Sequence, residues 1–339
     1  MTSKSIEKIA VVIPNINGEE YLRNAIDSLL SQTQKHTLIV VENASTDSSA
    51  AILASYGKKL IILTNKVNKG FAGGVNTGIS YALEQDFDAI ALFNNDAEAS
   101  PNWLKALADT LRSHDDTGIV TGQLQLAKKG TLDSTGEMYT TWGLPFPRGR
   151  DRSIENSTYT SQEYIFGATG GASIFRASML REIGLFDEAY FAYYEDTDIS
   201  FRAQHADWRI IYEPTAIATH IQGATSKKLP GFTVYQTFKN LPILFYKNIP
   251  RKLFFSMLPR FTLAYTLILL NAIFHKNAGS ALKGFRDTIL LLPSTLRKRR
   301  YIQKTSKVTA KQLRSLMIDD LPPDQTGIRR LRKFFTGKP

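Results

Sequence analysis

Three acids crowd into four residues at Glu195-Asp196-Thr197-Asp198, with Tyr193-Tyr194 before them and Ile199-Ser200-Phe201-Arg202 after. One acid there reads as a helix cap; three are more than a cap needs. Asp198 and Arg202 stand four apart and can pair on one helical face, which leaves Glu195 and Asp196 in the first turn, free to face a cleft. A carboxylate so placed is the residue type that takes a proton from a hydroxyl. Asn94-Asn95-Asp96 follows the apolar run Ala89–Phe93. An acid at a strand tip can hold a divalent cation, Mg2+ or Mn2+, on a pyrophosphate, because these ions take oxygen ligands and complete their shells with phosphate. The bland alternative is an Asx-turn before the next helix. Glu42 ends another apolar run, as an acceptor for the N–H edge of a nucleotide base or as an ordinary turn acid. The stretch from Asn65 to Gly78 sets Gly70, Gly73 and Gly74 just after Asn68. Small residues let a backbone approach a ligand, and a helix start just beyond them attracts phosphate. His220 follows the strand-like run Ile210–Ala218; taken alone it reads as structural before it reads as a ligand.

The elements that must position these residues alternate. Lys8–Ile13, Leu38–Val41, Leu60–Leu63 and Ala89–Phe93 read as buried strands, and Tyr21–Leu30, Ser48–Ser55, Val75–Leu83 and Pro101–Leu111 as helices between and after them. Such alternation predicts an α/β fold, a mainly parallel sheet with helices on both faces. Ligands of such sheets sit beyond the carboxyl ends of the strands, and Pro14-Asn15-Ile16-Asn17-Gly18, Glu42, Asn65–Gly74 and Asn94-Asn95-Asp96 all fall there. Residues 122–165, which contain Trp142-Gly143-Leu144-Pro145, read as a loop over the site or a plain surface excursion. Regular structure resumes at Gly167–Phe175 and Met179–Ile183.

The 339 residues carry 42 Lys+Arg against 31 Asp+Glu, a net charge of +11. The balance is uneven: residues 1–222 hold 19 basic against 27 acidic side chains, and residues 223–339 hold 23 against 4. The second part therefore calls for a different partner from the first. In it, Leu253–Phe274 is long enough to span a bilayer but contains Pro259 and Arg260. The expectation is of helices lying on an anionic membrane surface, apolar side down and basic residues at the headgroups. Nucleic acid is not expected, because the basic residues are interleaved with Leu and Phe. Cysteine is absent, which excludes disulfide scaffolds, thiolate zinc sites and cysteine nucleophiles. Residues 1–20 lack the long apolar core of a secretory signal, so a cytosolic start is expected.

Taken in order, Val11–Thr33, Val40–Ser49, Asn68–Ile79, Ala91–Leu104, Gly184–Ala203 and the segment around His220 resemble the inverting family 2 glycosyltransferases, in particular the rhamnosyltransferase-like branch of bacterial polysaccharide synthesis. The resemblance spans residues 8–226. It implies a GT-A fold over residues 1–230 followed by a basic, membrane-associating helical region, 231–339. It implies donor contacts from Pro14, Asn15, Asn17, Glu42, Asn68, Gly70, Gly73, Gly74, Asn95 and Asp96, with Asp96 and His220 at a divalent cation. Asp196, beside Glu195, becomes the general base, with Gly170, Gly171 and Trp142 on the acceptor side. The implied partners are a nucleotide-sugar donor, dTDP-L-rhamnose before UDP-hexoses, and a polyprenyl-diphosphate-linked glycan. The implied place is the cytoplasmic face of the bacterial inner membrane, peripherally attached; a homo-oligomer stays open. Two departures stand out: Glu42 occupies a position where the family commonly has Asp, and the metal motif offers Asn-Asn-Asp rather than two acids. The competing readings are a nucleotidyltransferase, whose Gly-rich, Arg-containing loop is missing after the first strand, and a non-catalytic membrane-associated nucleotide-sugar-binding protein.

Overall fold

The computed structural model describes residues 6–319 apart from 128, 156 and 222–228. Gln222 and Gly223 of the His220 segment, and positions 320–339 of the basic region, lie outside the described residues. Strands β1 (Ile9–Asn15), β2 (Thr37–Glu42), β3 (Ile61–Thr64) and β4 (Ala89–Phe93) form a parallel core in the order β3-β2-β1-β4. Helices α1 (Leu22–Leu30), α2 (Ser49–Ser55) and α3 (Gly70–Glu84) connect them. Every residue of β4 is buried, as a strand covered on both faces requires. Along β1, Val11 and Ile13 point into the core under α1, whose Leu22, Ala25, Ile26 and Leu29 recur at helical spacing. Ala10 and Val12 point the other way, against Val75 and Ile79 of α3.

After β5 (Ala97–Ala99), α4 (Trp103–Ser113) covers the first face, with the Trp103 ring 4.8 Å from that of Phe93. Then come β6 (Thr117–Leu126), β7 (Leu132–Ser134), β8 (Glu137–Tyr139), β9 (Pro145–Pro147), β10 (Glu163–Tyr164) and β11 (Ala172–Arg176). Helices α5 (Ala177–Ile183) and α6 (Glu195–His205) lead to β12 (Arg209–His220). β11 lies antiparallel between β4 and β6, and β12 parallel to β6, so the sheet runs β10-β12-β6-β11-β4-β1-β2-β3. The α/β class holds, and the antiparallel β11 adds a mixed half to the parallel one.

Two local expectations are corrected. The loop expectation for residues 122–165 fails as far as residue 147: buried β6 runs on to Leu126, and β8 and β9 pair as a hairpin. Most described residues of 151–164 are exposed, with β10 as their one strand, as a surface excursion requires. Gly122 hid β6 from a pattern reading; it is glycine because β12 bulges there, and a Cβ would lie 2.1 Å from Ala216 O. The glycine run is also not a loop ahead of a helix at Val75, because α3 already begins at Gly70. Gly70, Gly73 and Gly74 are buried within it, the last two beside Lys69 and beside Asn43 and Pro14, so they seat a helix rather than line an open loop.

Among the described residues, helices α7 (Phe232–Asn248), α8 (Arg251–Phe274), α9 (Ala278–Thr305) and α10 (Ala310–Ser315) follow. The change of composition near residue 230 is no break in packing. Leu241, Leu244, Phe245 and Ile249, with Phe261 of α8, share one apolar core with Tyr139, Phe166, Tyr190 and Phe201. Lys247 of α7 bonds the carboxylates of Asp187 and Asp198 at 2.6 and 2.8 Å, and Lys298 of α9 reaches Asp187 at 2.6 Å. The outer sides of α8 and α9 are different: Phe255, Leu270, Phe274, Leu282, Leu290 and Tyr301 are all exposed. Among the described residues, α8 alone is long and apolar enough to cross a membrane, by length and composition.

Candidate active site

The carboxyl ends of β1, β2 and β4 converge as their sequence suggested. Asn15 is fully buried and ties two neighbours together: its Nδ2 donates to Glu42 Oε2 at 2.9 Å, and its Oδ1 accepts from Asn95 Nδ2 at 2.8 Å. Glu42 Oε1 accepts from the Ser45 backbone N–H at 2.7 Å. Each oxygen of Glu42 thus takes one internal hydrogen bond and retains a second lone pair. Asn17, in the left-handed region, accepts from the Thr46 backbone N–H at 2.8 Å and fixes the turn after β2. The start of α3 is stapled by Asn43, whose Oδ1 takes hydrogen bonds from Asn65 Nδ2 and from the Lys69 backbone N–H, and by Asn68, whose Oδ1 accepts from the Gly70 N–H at 2.8 Å. Pro14 packs beside Gly74.

His220 ends β12 next to the tip of β4. Its Nε2 lies 3.0 Å from Asp96 Oδ1 and its Nδ1 lies 2.7 Å from Asp133 Oδ2. Asp133 is nearly inaccessible and is held in turn by Arg150 at 2.9 Å. Burial opposes a charge on His220, but hydrogen bonds to Asp133 and Asp96 outweigh it and raise its pKa to about 9. Among the described residues no group of three or more acids and histidines stands ready to hold a metal unaided. With its pKa so raised, His220 gives its Nε2 proton to Asp96. A cation completed by phosphate would therefore find Asp96 as its ligand, and His220 Nε2 only once that proton is lost, with Nδ1 already fixed on Asp133.

Asp196 stands in the first turn of α6. Its Oδ1 accepts from the Thr197 N–H at 2.8 Å and its Oδ2 from the Gly170 N–H at 3.3 Å. Gly171 in turn accepts from the Asn94 N–H at 2.9 Å, so the two glycines join the Asp196 end of α6 to the tip of β4. Trp142 packs at the edge of the apolar core that Phe245 and Phe261 share with Tyr139 and Phe201. The three acids of this turn differ in state. Burial pushes Asp196 up, against its hydrogen bonds from Thr197 and Gly170. Burial, and then the charge of Asp196, push the buried Glu195 well above the ordinary carboxylate range, and its Oε2 has no hydrogen-bond partner. Asp198 is fully buried, yet Lys247 and Arg202 outweigh the burial and hold its pKa down. Asp198 therefore remains charged, while burial favours the neutral forms of Glu195 and Asp196.

Three residues of this region escaped the sequence reading: Asp133, Arg150 and Glu137. Glu137 is a buried acid raised first by burial and then by the charge of Asp196. Asp133 is 87 residues from His220, and no local motif marks any of the three.

A parallel α/β half, joined through antiparallel β11 to a mixed half that carries an acid pair at a helix start, resembles the GT-A arrangement. In fold the chain is similar to Staphylococcus aureus TarS 1–349 in complex with UDP-GlcNAc, at TM-score 0.54 and 16% identity over 91% of this chain and 90% of that one. It is also similar to GalNAc-T7 with UDP, GalNAc and Mn2+, at TM-score 0.57 and 14% identity over 71% of this chain. The match takes in 48% of GalNAc-T7, so the chain spans about half the length of that protein. Residues 10–184 match the family model "Glycosyl transferase family 2", and the chain belongs to that family. It is a glycosyltransferase of glycan biosynthesis. One relative, the N-acetylglucosaminyl-diphospho-decaprenol L-rhamnosyltransferase of Mycobacterium tuberculosis, is 24% identical over 247 residues, 66% of this chain and 79% of the relative.

Proposed function

We propose that this enzyme transfers L-rhamnose from dTDP-L-rhamnose, with inversion, to a hydroxyl of a polyprenyl-diphosphate-linked glycan at the cytoplasmic face of the bacterial inner membrane. The observation that carries the chemistry is Asp196, a carboxylate raised toward neutrality and held by two backbone N–H groups beside the strand tips. Asp196 takes the proton of the acceptor hydroxyl as its oxygen bonds to C1 of the sugar and the C1–O bond to the diphosphate breaks. The displacement is direct, so the anomeric centre inverts, and the nucleoside diphosphate leaves. The diphosphate would lie beside Asn68 and the start of α3, where the Gly70 and Ala72 N–H groups are already given to Asn68 Oδ1 and Phe191 O. Asp96 and His220 would hold a divalent cation that, when bound, neutralises charge on the leaving group. Asp133 keeps the His220 Nε2 aimed at Asp96. Glu42 has a free lone pair on each oxygen for the N3–H of thymine or uracil. The name of the mycobacterial relative supports the sugar and the lipid-linked acceptor.

Residues 1–230 are the catalytic domain in this reading, and 231–339 the membrane-associating region. The exposed apolar residues of α8 and α9 alternate along the chain with Arg251, Lys252, Lys276, Lys283 and Arg297, which suits an anionic bilayer surface.

The test is nucleoside-diphosphate release from dTDP-, UDP- and GDP-sugars with bacterial lipid extract as acceptor, with Mg2+ or Mn2+ and with EDTA. Release from dTDP-L-rhamnose that rises with lipid and stops in EDTA is expected. Release from a UDP-sugar instead would reassign the donor, and no release from any donor would favour a binding protein.

A further inference from the structure

The four residues before the Glu195-Asp196 pair hold an unusual backbone. Phe191, Tyr193 and Tyr194 have φ of 64°, 68° and 72°. Bulky side chains rarely enter this left-handed region, so three in four positions persist only where the surroundings impose them. Two elements do so from different sides. From α3, the Ala72 N–H donates to Phe191 O at 3.2 Å, and a Cβ on Gly70 would sit 2.3 Å from that same oxygen. Gly70 itself has φ of +69°. From α7, the Asn240 side-chain amide reaches three carbonyls of the loop with its two N–H bonds, one of them shared: Tyr190 O at 2.9 Å, Ala192 O at 2.8 Å and Tyr193 O at 2.9 Å. Asn240 is fully buried, and the neighbouring Lys239 Nζ also donates to Tyr190 O at 3.1 Å.

We infer that Asn240 is a positioning residue for Asp196: by gathering these three carbonyls it holds the 190–194 loop left-handed, and so fixes where α6 begins relative to α3. It touches no reacting atom itself. The inference rests on the reading of Asp196 as the base and adds to it a residue from the basic region. That region is then part of the catalytic apparatus as well as a surface anchor, and a chain ending at residue 230 would lack the clamp.

The experiment uses the full chain, with Mn2+, lipid extract and whichever of dTDP-L-rhamnose and UDP-N-acetylglucosamine the unaltered enzyme turns over. Asn240→Leu removes the donors at similar volume. Expected is a kcat lower by about 100-fold, the scale of a misplaced catalytic group, with calorimetric affinity for the matching nucleoside diphosphate within about threefold. Adding Tyr193→Gly, which accepts positive φ freely, should recover about tenfold of that loss. Hydrogen exchange over residues 190–197 should quicken in Asn240→Leu. An unchanged kcat, or a loss matched in nucleotide affinity and not relieved by the glycine, overturns the proposal. Should Asn240→Leu fail to fold, Asn240→Ser, which keeps one donor, must give an intermediate kcat, and a kcat equal to that of the unaltered enzyme counts against the clamp. If the unaltered enzyme releases nothing, the base assignment fails, while unchanged hydrogen exchange in the variant would separately refute the clamp.

Discussion

At the scale of the residue, the proposed reaction turns on Asp196. Substituting it with Asn keeps its volume and hydrogen-bonding shape but removes the proton acceptor. Turnover should fall by about 10²–10⁴-fold, the usual contribution of a general base, while nucleoside-diphosphate binding measured by calorimetry stays within about threefold. Loss of both would mark Asp196 as structural. The pH profile carries the same point with a definite sign. Burial raises the pKa of Asp196, and only the deprotonated form accepts a proton. The acid limb of kcat/KM should therefore lie above the ordinary carboxylate range, with activity rising through it as pH increases, and should vanish from the residual activity of Asp196→Asn. Asp96 and Glu42 were legible in sequence because each ends a clear apolar strand. Asp133 and Glu137 were not, because they sit on three-residue strands and the groups they act on, His220 and Asp196, are distant in the chain.

At the scale of the element, the junction between α6, α7 and α9 decides how firmly the acid pair is held. Asp198 accepts from Arg202, Lys247, Asn248 and the Tyr190 hydroxyl, and it is wholly inaccessible. Lys247→Met leaves two buried carboxylates, Asp187 and Asp198, short of their shared cation. That should destabilise the fold by about 3–5 kcal/mol, the range for breaking one partner of a buried ion pair, as read from denaturant midpoints at neutral pH. A loss under about 1 kcal/mol would place the pair with weak surface bridges. Both carboxylates have folded pKa values held below the ordinary one: burial opposes this, and Lys247 prevails in each case. Their contribution to stability is present above the unfolded carboxylate pKa, about 4, and is lost as pH falls through the folded values. The gap between Lys247→Met and the parent should narrow in acid. The pairing of Asp198 with Arg202 followed from spacing alone, whereas Lys247, 49 residues further on, did not.

At the scale of the whole molecule, one chain combines an acidic catalytic body with a basic helical region that is packed into it on one side and bare on the other. Ile273 and Phe274, at the end of α8, are 49% and 86% exposed and lie far along the chain from every candidate catalytic residue. Replacing both with Glu removes two apolar groups worth about 1.5–3 kcal/mol each when fully buried. Partition onto vesicles of mixed neutral and anionic lipid should therefore weaken by at least about tenfold, with nucleotide affinity unchanged. High salt should weaken the parent further, since headgroup attraction is screened. Unaltered vesicle binding, with a shift from dimer to monomer in sedimentation, would instead assign this face to a second copy of the chain.

The sequence by itself determined what depends on local pattern. Four apolar runs with amphipathic segments between them specified the parallel half, since hydrophobic period and length are local properties, and the strand tips followed from it. The break in charge near residue 230 was equally plain. Tertiary structure alone decided where antiparallel β11 enters the sheet, that the glycine run begins a packed helix, and that α7 and α8 share a core with Tyr139, Phe166, Tyr190 and Phe201. Each of these depends on contacts between residues far apart in the chain: Ile174 against Ala91 and Val120, Gly74 against Pro14 and Asn43, Asn240 against the 190–193 carbonyls. Such contacts leave no periodic trace, because what selects the residue is the shape and hydrogen-bonding need of a distant neighbour rather than the element it sits in.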